Sequence, residues 1–556
     1  MTTGEDRVPS LADELLTLQL SAEPLGATLL GVPGHDDRLA DVTEAAEQVT
    51  RAAAVDIAAR ADALVAAGTG DVVTAKVIAQ QAGALVDRID ARMPEYTVTD
   101  IFVGPAASLL TYLPMIVLPD ADRADAFLTR LRAVPEHLEQ VADRHRAGVA
   151  AGRVPVRRGV DAAIAHLDRY LGTDPAADPL LAQQPAGELD VAAFTEERAR
   201  IVTEVVRPAL AGYRAALVDE IAEHGRPEDR PGLCALPGGD AAYAALSRVH
   251  TTTELSPEEL HQTGLDVIES LRDEYAELGS RVFGTSDQAE IFHHLTSDPR
   301  LRWRDAEEMI EHARAAVERA EEAAPRFFGR LPGQRCRVEP VPAAEAPGAP
   351  AAYYMPPSLD GLRSGVYFAN TDRAHERDRF LAEATAFHEA VPGHHFQLTI
   401  AMELTELPLV RRLADVNAYS EGWGLYTERL AEEMGLYSDD VSRFGMLGLD
   451  SMRAGRLVVD TGLHAKGWSR AQAVDYLRAN TPLSDLEIGN EVDRYIAYPG
   501  QALSYMVGRL EIQRVRAAAE ARLGDRFDIR AFHDLVLGGG PLPLTVLAEV
   551  VEAWQG

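Results

Sequence analysis

A mainly α-helical fold, built as a large two-lobed body with a small β-hairpin or short sheet set into it, is what this sequence predicts. Three observations carry the prediction. From Leu11 to about Arg330 the chain runs in Ala-, Leu-, Arg- and Glu-rich segments whose apolar residues return at helical spacing, the pattern of helices packed on one another. No segment recurs with a period of roughly 20 to 50 residues, so a solenoid is not expected. One stretch, 353–370, abandons the helical period for aromatic and turn residues.

Taken in order, the amphipathic segments Asp41 to Ala67, Asp122 to Ala147, Phe194 to His224 and Glu258 to Gly279 are expected to be helices. The turn-rich clusters Gly31 to Asp37, Gly172 to Asp178, Gly225 to Gly239 and Leu331 to Pro350 punctuate them. The Ala- and Pro-rich run 341–352 reads as a linker, and Tyr353 to Asn370 as a hairpin. Two more helical patterns follow, Arg377 to Met402 and Asn417 to Leu430. The division expected is one large helical domain, 1–556, with an N-terminal lobe over 1–340, a linker and hairpin over 341–370, and a second lobe over 371–556.

Composition excludes several classes of function. With 556 residues and 46% hydrophobic content the chain is globular, and no run approaches the length of a membrane span. The first residues, Met-Thr-Thr-Gly-Glu-Asp-Arg-Val-Pro, lack the apolar core of a signal peptide, which points to the cytoplasm. A net charge of -33 argues against nucleic acid and anionic membranes as partners. Basic residues are nearly all arginine, with lysine only at Lys76 and Lys466. Cys234 and Cys336 stand in no metal or redox spacing and are expected to be free thiols.

The chemistry is concentrated at 388–395, His-Glu-Ala-Val-Pro-Gly-His-His. In the familiar His-Glu-x-x-His pattern the two histidines fall on one helical face and the glutamate acts as general base. Here the second histidine comes too late. On a regular helix His394 would stand roughly 240° round from His388, and His395 would lie about 10 Å further along, while zinc–nitrogen bonds are only about 2.0 to 2.1 Å. The helix must therefore be interrupted, and Pro392 with Gly393 supplies the interruption. A two-residue bulge would return His394 to the ligand position and turn His395 elsewhere, toward substrate or toward the groups that support the ligands; spacing leaves open which of the two binds. Glu421, 27 residues after His394 and set among Tyr419, Trp423 and Leu425, is the candidate third ligand, since a carboxylate in such company is costly unless paired or bound to a metal. Glu428, Glu432 and Glu433 read as a solvated charged face.

The His-Glu-Ala-Val-Pro-Gly-His-His string, Tyr-Ser-Glu-Gly-Trp-Gly-Leu-Tyr at 419–426, Val-Val-Asp-Thr-Gly-Leu-His at 458–464 and Tyr-Pro-Gly-Gln-Ala at 498–502 resemble the bacterial domain-of-unknown-function family 885. That family is similar to the gluzincin metallopeptidases, mostly helical with a deep cleft. The likeness runs from about Leu11 to Trp554. It implies a zinc-dependent hydrolase of peptides or amides, with His388, His394 and Glu421 as ligands and Glu389 as base.

Around this centre further roles are expected. The oxyanion of a tetrahedral intermediate needs a donor, for which His464, Tyr495, Tyr498 and His395 are candidates. Asp460 or Glu383 would accept the free ring N–H of a metal-bound histidine. Arg456 and Arg494 would hold a substrate carboxylate, unless they form structural ion pairs. Arg363 and Tyr367 mark the hairpin as an edge for substrate backbone. Gly538-Gly-Gly-Pro lacks the Lys-Ser/Thr of a phosphate loop, and His293-His294 has no partner at ligand spacing, so both read as structural. Two rival functions share the ligand set: a non-haem iron oxygenase, and a peptide-binding protein with a metal but no catalysis.

Overall fold

The computed structural model describes residues 7–342, 346 and 350–556. It is mainly α-helical, with a single three-stranded sheet among the described residues. Much of the predicted linker, 343–345 and 347–349, lies outside the described residues.

The expected helices form at Glu44–Ala67, at Ala121–Arg132 with Val134–Ala150, over 191–224 and at Pro257–Val282. Their ends follow local chemistry: Thr43 and Asp120 accept N-terminal backbone N–H groups, and Ser256 forms a reciprocal capping box with Glu259. Two segments differ from the expectation. The segment 122–147 breaks at Ala133, because Pro135 has no N–H to give to a continuing helix and serves instead in the first turn of the next. The segment 194–224 widens into π turns at Val202–Val206 and Leu217–Ile221; Pro208 follows the first, where the wider turn absorbs its missing N–H.

Strands β1 (Arg337–Pro340), β2 (Ala352–Met355) and β3 (Val366–Ala369) make the sheet, in the order β1-β3-β2. The predicted hairpin is the antiparallel β2–β3 pair, with Tyr354 opposite Tyr367. β1, which lies ahead of the Ala- and Pro-rich run, pairs parallel with β3 and had no strand signal.

Three packing relationships position the site. Pro257–Val282 lies along the long helix Asp440–His464. Asn417–Glu433 crosses Ser504–Leu523, and the approach is so close that a Cβ built on Gly508 would fall 1.8 Å from the Ala418 carbonyl oxygen. A core of Phe328, Phe387, Phe396, Trp423, Tyr426 and their neighbours joins the segments on either side of the sheet. Cys234 and Cys336 are free, and Gly538-Gly-Gly connects the helices Ile529–Gly538 and Leu544–Ala553. Among the described residues no helix is long and apolar enough to cross a membrane.

Candidate metal centre

The motif stretch is two helices, not one. Ala382–Glu389 ends at the cis Val391–Pro392 bond, and His394–Glu403 begins immediately afterwards. The interruption predicted at Pro392-Gly393 is present over residues 390–393, and the His395 N–H spans it to the Ala390 carbonyl at 3.1 Å. Trp423 Nε1 donates to the Pro392 carbonyl at 3.0 Å, and Thr427 Oγ1 to the Phe387 carbonyl at 3.1 Å, so the helix Asn417–Glu433 braces both sides of the break.

The break brings His388, His394 and Glu421 together. Glu421 Oε2 lies 3.5 Å from His388 Nε2 and 3.3 Å from His394 Nε2. The candidate ligand atoms of all three lie within 4.8 Å of one another. Tetrahedral ligands at about 2.0 to 2.1 Å from one ion stand about 3.4 Å apart, so the donor set fits zinc. Gly424 keeps the space, because a Cβ there would fall 2.7 Å from His388 Cε1.

His388 is fixed from behind. Its Nδ1 donates to Glu428 Oε1 at 2.8 Å, which leaves Nε2 unprotonated toward the centre of the group in the neutral ring. Glu428 is fully buried, and the charged surface expected for it is found only at Glu432 and Glu433, which pair with Arg443 and Arg516. Burial opposes the charged imidazolium, yet hydrogen bonds to Glu421 and Glu428 outweigh it and push the His388 pKa up to about 10. Burial likewise opposes the Glu421 carboxylate, but hydrogen bonds with both histidines hold its pKa well below the ordinary range. The pocket thus calls for positive charge, from protons or from a cation. Glu389, half-buried beside His388, makes no hydrogen bond or ion pair with a described residue.

His395 is turned away and buried. Its Nδ1 accepts from the Tyr354 hydroxyl at 2.9 Å and its Nε2 donates to the Gln334 carbonyl at 2.9 Å, so it ties the motif to β2 instead of facing substrate.

The family model of bacterial proteins of unknown function, DUF885, matches residues 24–551. The chain belongs to that family. Over the whole of both chains this DUF885 protein is 26% identical to a protein described as a putative lipoprotein from Colwellia psychrerythraea, with a TM-score of 0.91. A putative lipoprotein of unknown function from Shewanella oneidensis is 18% identical over 98% of this chain and 99% of its own, with a TM-score of 0.73, a likeness of fold. No curated protein matches the chain.

The other predicted residues of this DUF885 protein divide. His464 is buried, with Nδ1 accepting from Leu233 N–H at 3.1 Å and Nε2 donating to the Tyr495 carbonyl at 3.0 Å, so neither nitrogen is left for an oxyanion. Tyr495 is buried too and gives its hydroxyl hydrogen to Glu491 at 2.5 Å. Tyr498 packs edge-on against Phe102 and His250. Asp460 accepts from Tyr243 Oη at 2.6 Å and Gly500 N–H at 3.1 Å, not from a metal-site histidine. Glu383 accepts from Arg319 at 2.7 Å and Ser438 N–H at 2.9 Å, and it does not orient His388. Glu428 holds that role; it stands seven residues after Glu421, two helical turns along the same face, which is the signal that could have found it.

Arg363 is spent on the Pro356 and Leu29 carbonyls at 3.1 to 3.3 Å and holds a loop. Tyr367 is buried in β3, where burial and the neighbouring Glu389 charge raise its pKa. Arg456 makes two bonds to Glu491, at 3.0 and 2.7 Å, an ion pair that uses Nε and Nη2 and leaves Nη1 without a partner. Arg494 donates to Gln501 at 2.7 Å and to the Tyr505 hydroxyl at 3.2 Å. Tyr505, which no motif singled out, stacks on His388 with ring centroids 6.3 Å apart.

Proposed function

We propose that this DUF885 protein is a gluzincin-like, zinc-dependent hydrolase of peptide or amide bonds. The observation that supports the reading is the convergence of two histidine nitrogens and one carboxylate oxygen at zinc spacing, with an unpaired glutamate adjoining one of the ligands. Three protein ligands leave a position free for reactants, the arrangement of catalytic and not of structural zinc. Bound there, zinc supplies a Lewis acid that brings water ionisation into the neutral range and polarises the scissile carbonyl.

The chain's own residues do the rest. Glu389 takes the proton of the attacking water and returns it to the leaving amine nitrogen. Glu428 keeps the His388 ring in one tautomer and one orientation. The Tyr505 hydroxyl, accepting from Arg494, keeps its own hydrogen free to donate to the oxyanion. β2, an outer strand of the sheet tied to His395 through Tyr354, offers its open edge to an extended peptide backbone.

Two measurements test this. Elemental analysis of protein purified without added metal should find about one zinc per chain; iron in its place would favour the two-histidine, one-carboxylate oxygenase. Glu389→Gln should keep the zinc and lose about 10²- to 10⁴-fold of amide cleavage. Undiminished turnover in that variant would end the mechanism.

A further inference from the structure

Next to the metal group the positive charges outnumber their partners. Arg453 and Arg456 on the helix Asp440–His464, and Arg494 on the helix Asp485–Ala497, surround Tyr505. Arg456 lies 4.4 Å and Arg453 5.7 Å from the centre of its ring. The carboxylate among them is Glu491, and Arg456 takes it with two hydrogen bonds. Arg494 approaches Glu491 no closer than 3.9 Å.

Arg453 is the exception among buried arginines. Arg226, Arg198 and Arg509 each donate to carbonyl or carboxylate oxygens. Arg453 is only 8% exposed, yet it makes no hydrogen bond or ion pair with any described residue, and its guanidinium lies over the Tyr505 ring. Arg453 Nε and Nη1, Arg456 Nη1 and Arg494 Nε are all buried donors without an acceptor. A guanidinium with two buried, unpaired nitrogens is costly to keep, and free donors of this kind suit an anionic ligand. Guanidinium forks match a carboxylate's two oxygens.

The place of the cluster sets the size of that ligand. The Tyr505 ring that carries Arg453 and Arg456 also stacks on His388. Through that ring the Arg453 and Arg456 guanidinium carbons lie at most about 12 Å from the centre of the His388 ring, and successive residues of a peptide advance about 3.8 Å. A carboxylate held here belongs to a substrate that extends one or two residues past the bond at the metal group.

We infer that Arg453, with Arg456 and Arg494, binds the free C-terminal carboxylate of a peptide substrate, so that the enzyme removes one or two residues from the carboxyl end. The inference rests on the hydrolase reading. The step balances with water alone: the C–N bond breaks, a C–O bond forms at the acyl carbon, and the proton that Glu389 removes from water goes to the departing amine.

Calorimetry on the full chain, with and without zinc, tests it using three probes: N-acetyl-Ala-Ala, its C-terminal amide, and N-acetyl-Ala-Asp amide, whose carboxylate is on the side chain. The free acid should bind at least about 30-fold more tightly than either amide in both metal states. Arg453→Met should shrink that preference to below about 3-fold with zinc content unchanged. Equal binding of free acid and Ala-Ala amide by the unmutated protein overturns the inference, whether or not the variant folds. Equal binding of the side-chain carboxylate overturns the terminal assignment. Preference for the free acid with no cleavage of any peptide by the zinc-loaded protein upholds the carboxylate subsite and overturns the hydrolase reading.

Discussion

Glu428 Oε1 accepts the Nδ1 hydrogen of His388 at 2.8 Å, between two side chains that water does not reach. A buried carboxylate needs a compensating charge or hydrogen bonds. Glu428 has this one hydrogen bond, and its Oε2 has none. Its negative charge is therefore directed through the imidazole toward Nε2, where a cation would sit, and the ring's basicity as a ligand rises.

Glu428→Ala should consequently weaken zinc binding by about 10- to 100-fold, the range for removing such a partner. Glu421→Ala, which deletes a ligand, should do more, and Glu432→Ala, whose glutamate pairs with Arg443 away from the ligands, should do nothing. Competition against a chromophoric chelator ranks the three. Equal affinities for Glu428→Ala and Glu432→Ala would show that the buried bond has no part in holding the metal.

His394 and His395 are adjacent in sequence and face different partners, Glu421 for the first and Tyr354 with the Gln334 carbonyl for the second. His394→Ala should abolish zinc binding and leave the fold intact. His395→Ala should keep one zinc and lose about 1 to 3 kcal/mol of stability, because the Tyr354 hydroxyl and the Gln334 carbonyl each lose a buried partner. Zinc stoichiometry and thermal melts of the two variants separate the roles; zinc loss in His395→Ala would reverse the assignment.

The convergence of His388, His394 and Glu421 was legible because a broken His-Glu motif leaves few ways to bring two histidines together, and Pro392-Gly393 marks where the break falls. The helical fold was legible from the period of the apolar residues. What the sequence hid depends on contacts between distant segments. His464, Tyr495 and Asp460 look catalytic as isolated polar residues, but their hydrogen bonds go to Leu233, Glu491 and Tyr243, partners that only packing brings near. Glu428 looked solvated because Glu432 and Glu433 follow it, although its seven-residue spacing from Glu421 put it on the ligand face. Arg453 carried no local signal at all, since an arginine is marked as unusual only by the lack of a partner.

Asp460 sets a pH dependence of stability. Burial raises its pKa to about 7, despite hydrogen bonds from Tyr243 and Gly500 that favour the carboxylate. The folded chain then holds this proton more tightly than the unfolded chain, whose aspartate titrates near 3.9. Stability from this group is full below about pH 4, falls as pH rises to about 7, and is level above. Asn at this position keeps an oxygen for both donors and has no proton to lose. Asp460→Asn should be more stable than the unmutated protein at pH 8, by up to about 4 kcal/mol, and the advantage should vanish near pH 4. Asp378, also raised to about 7 by burial, titrates over the same interval and keeps part of the slope in the variant. Chemical denaturation at pH 4.5, 6 and 8 gives the answer, and an Asp460→Asn curve parallel to the unmutated one would rule the group out.

Arg453 gives the last prediction, which needs no substrate. A guanidinium that is buried and unpaired should cost the ligand-free protein stability, and replacement of buried charge by a well-packed apolar side chain is commonly neutral or stabilising by about 1 to 4 kcal/mol. Methionine matches much of the arginine's length and can lie against the Tyr505 ring, where a thioether is favourable. Arg453→Met should therefore melt at a higher temperature than the unmutated protein in plain buffer. Addition of N-acetyl-Ala-Ala should raise the melting point of the unmutated protein, by linkage to binding, and leave the variant's nearly unchanged. A variant that melts lower in buffer and is still stabilised by the peptide would mean that the guanidinium is held for the fold and not for a ligand.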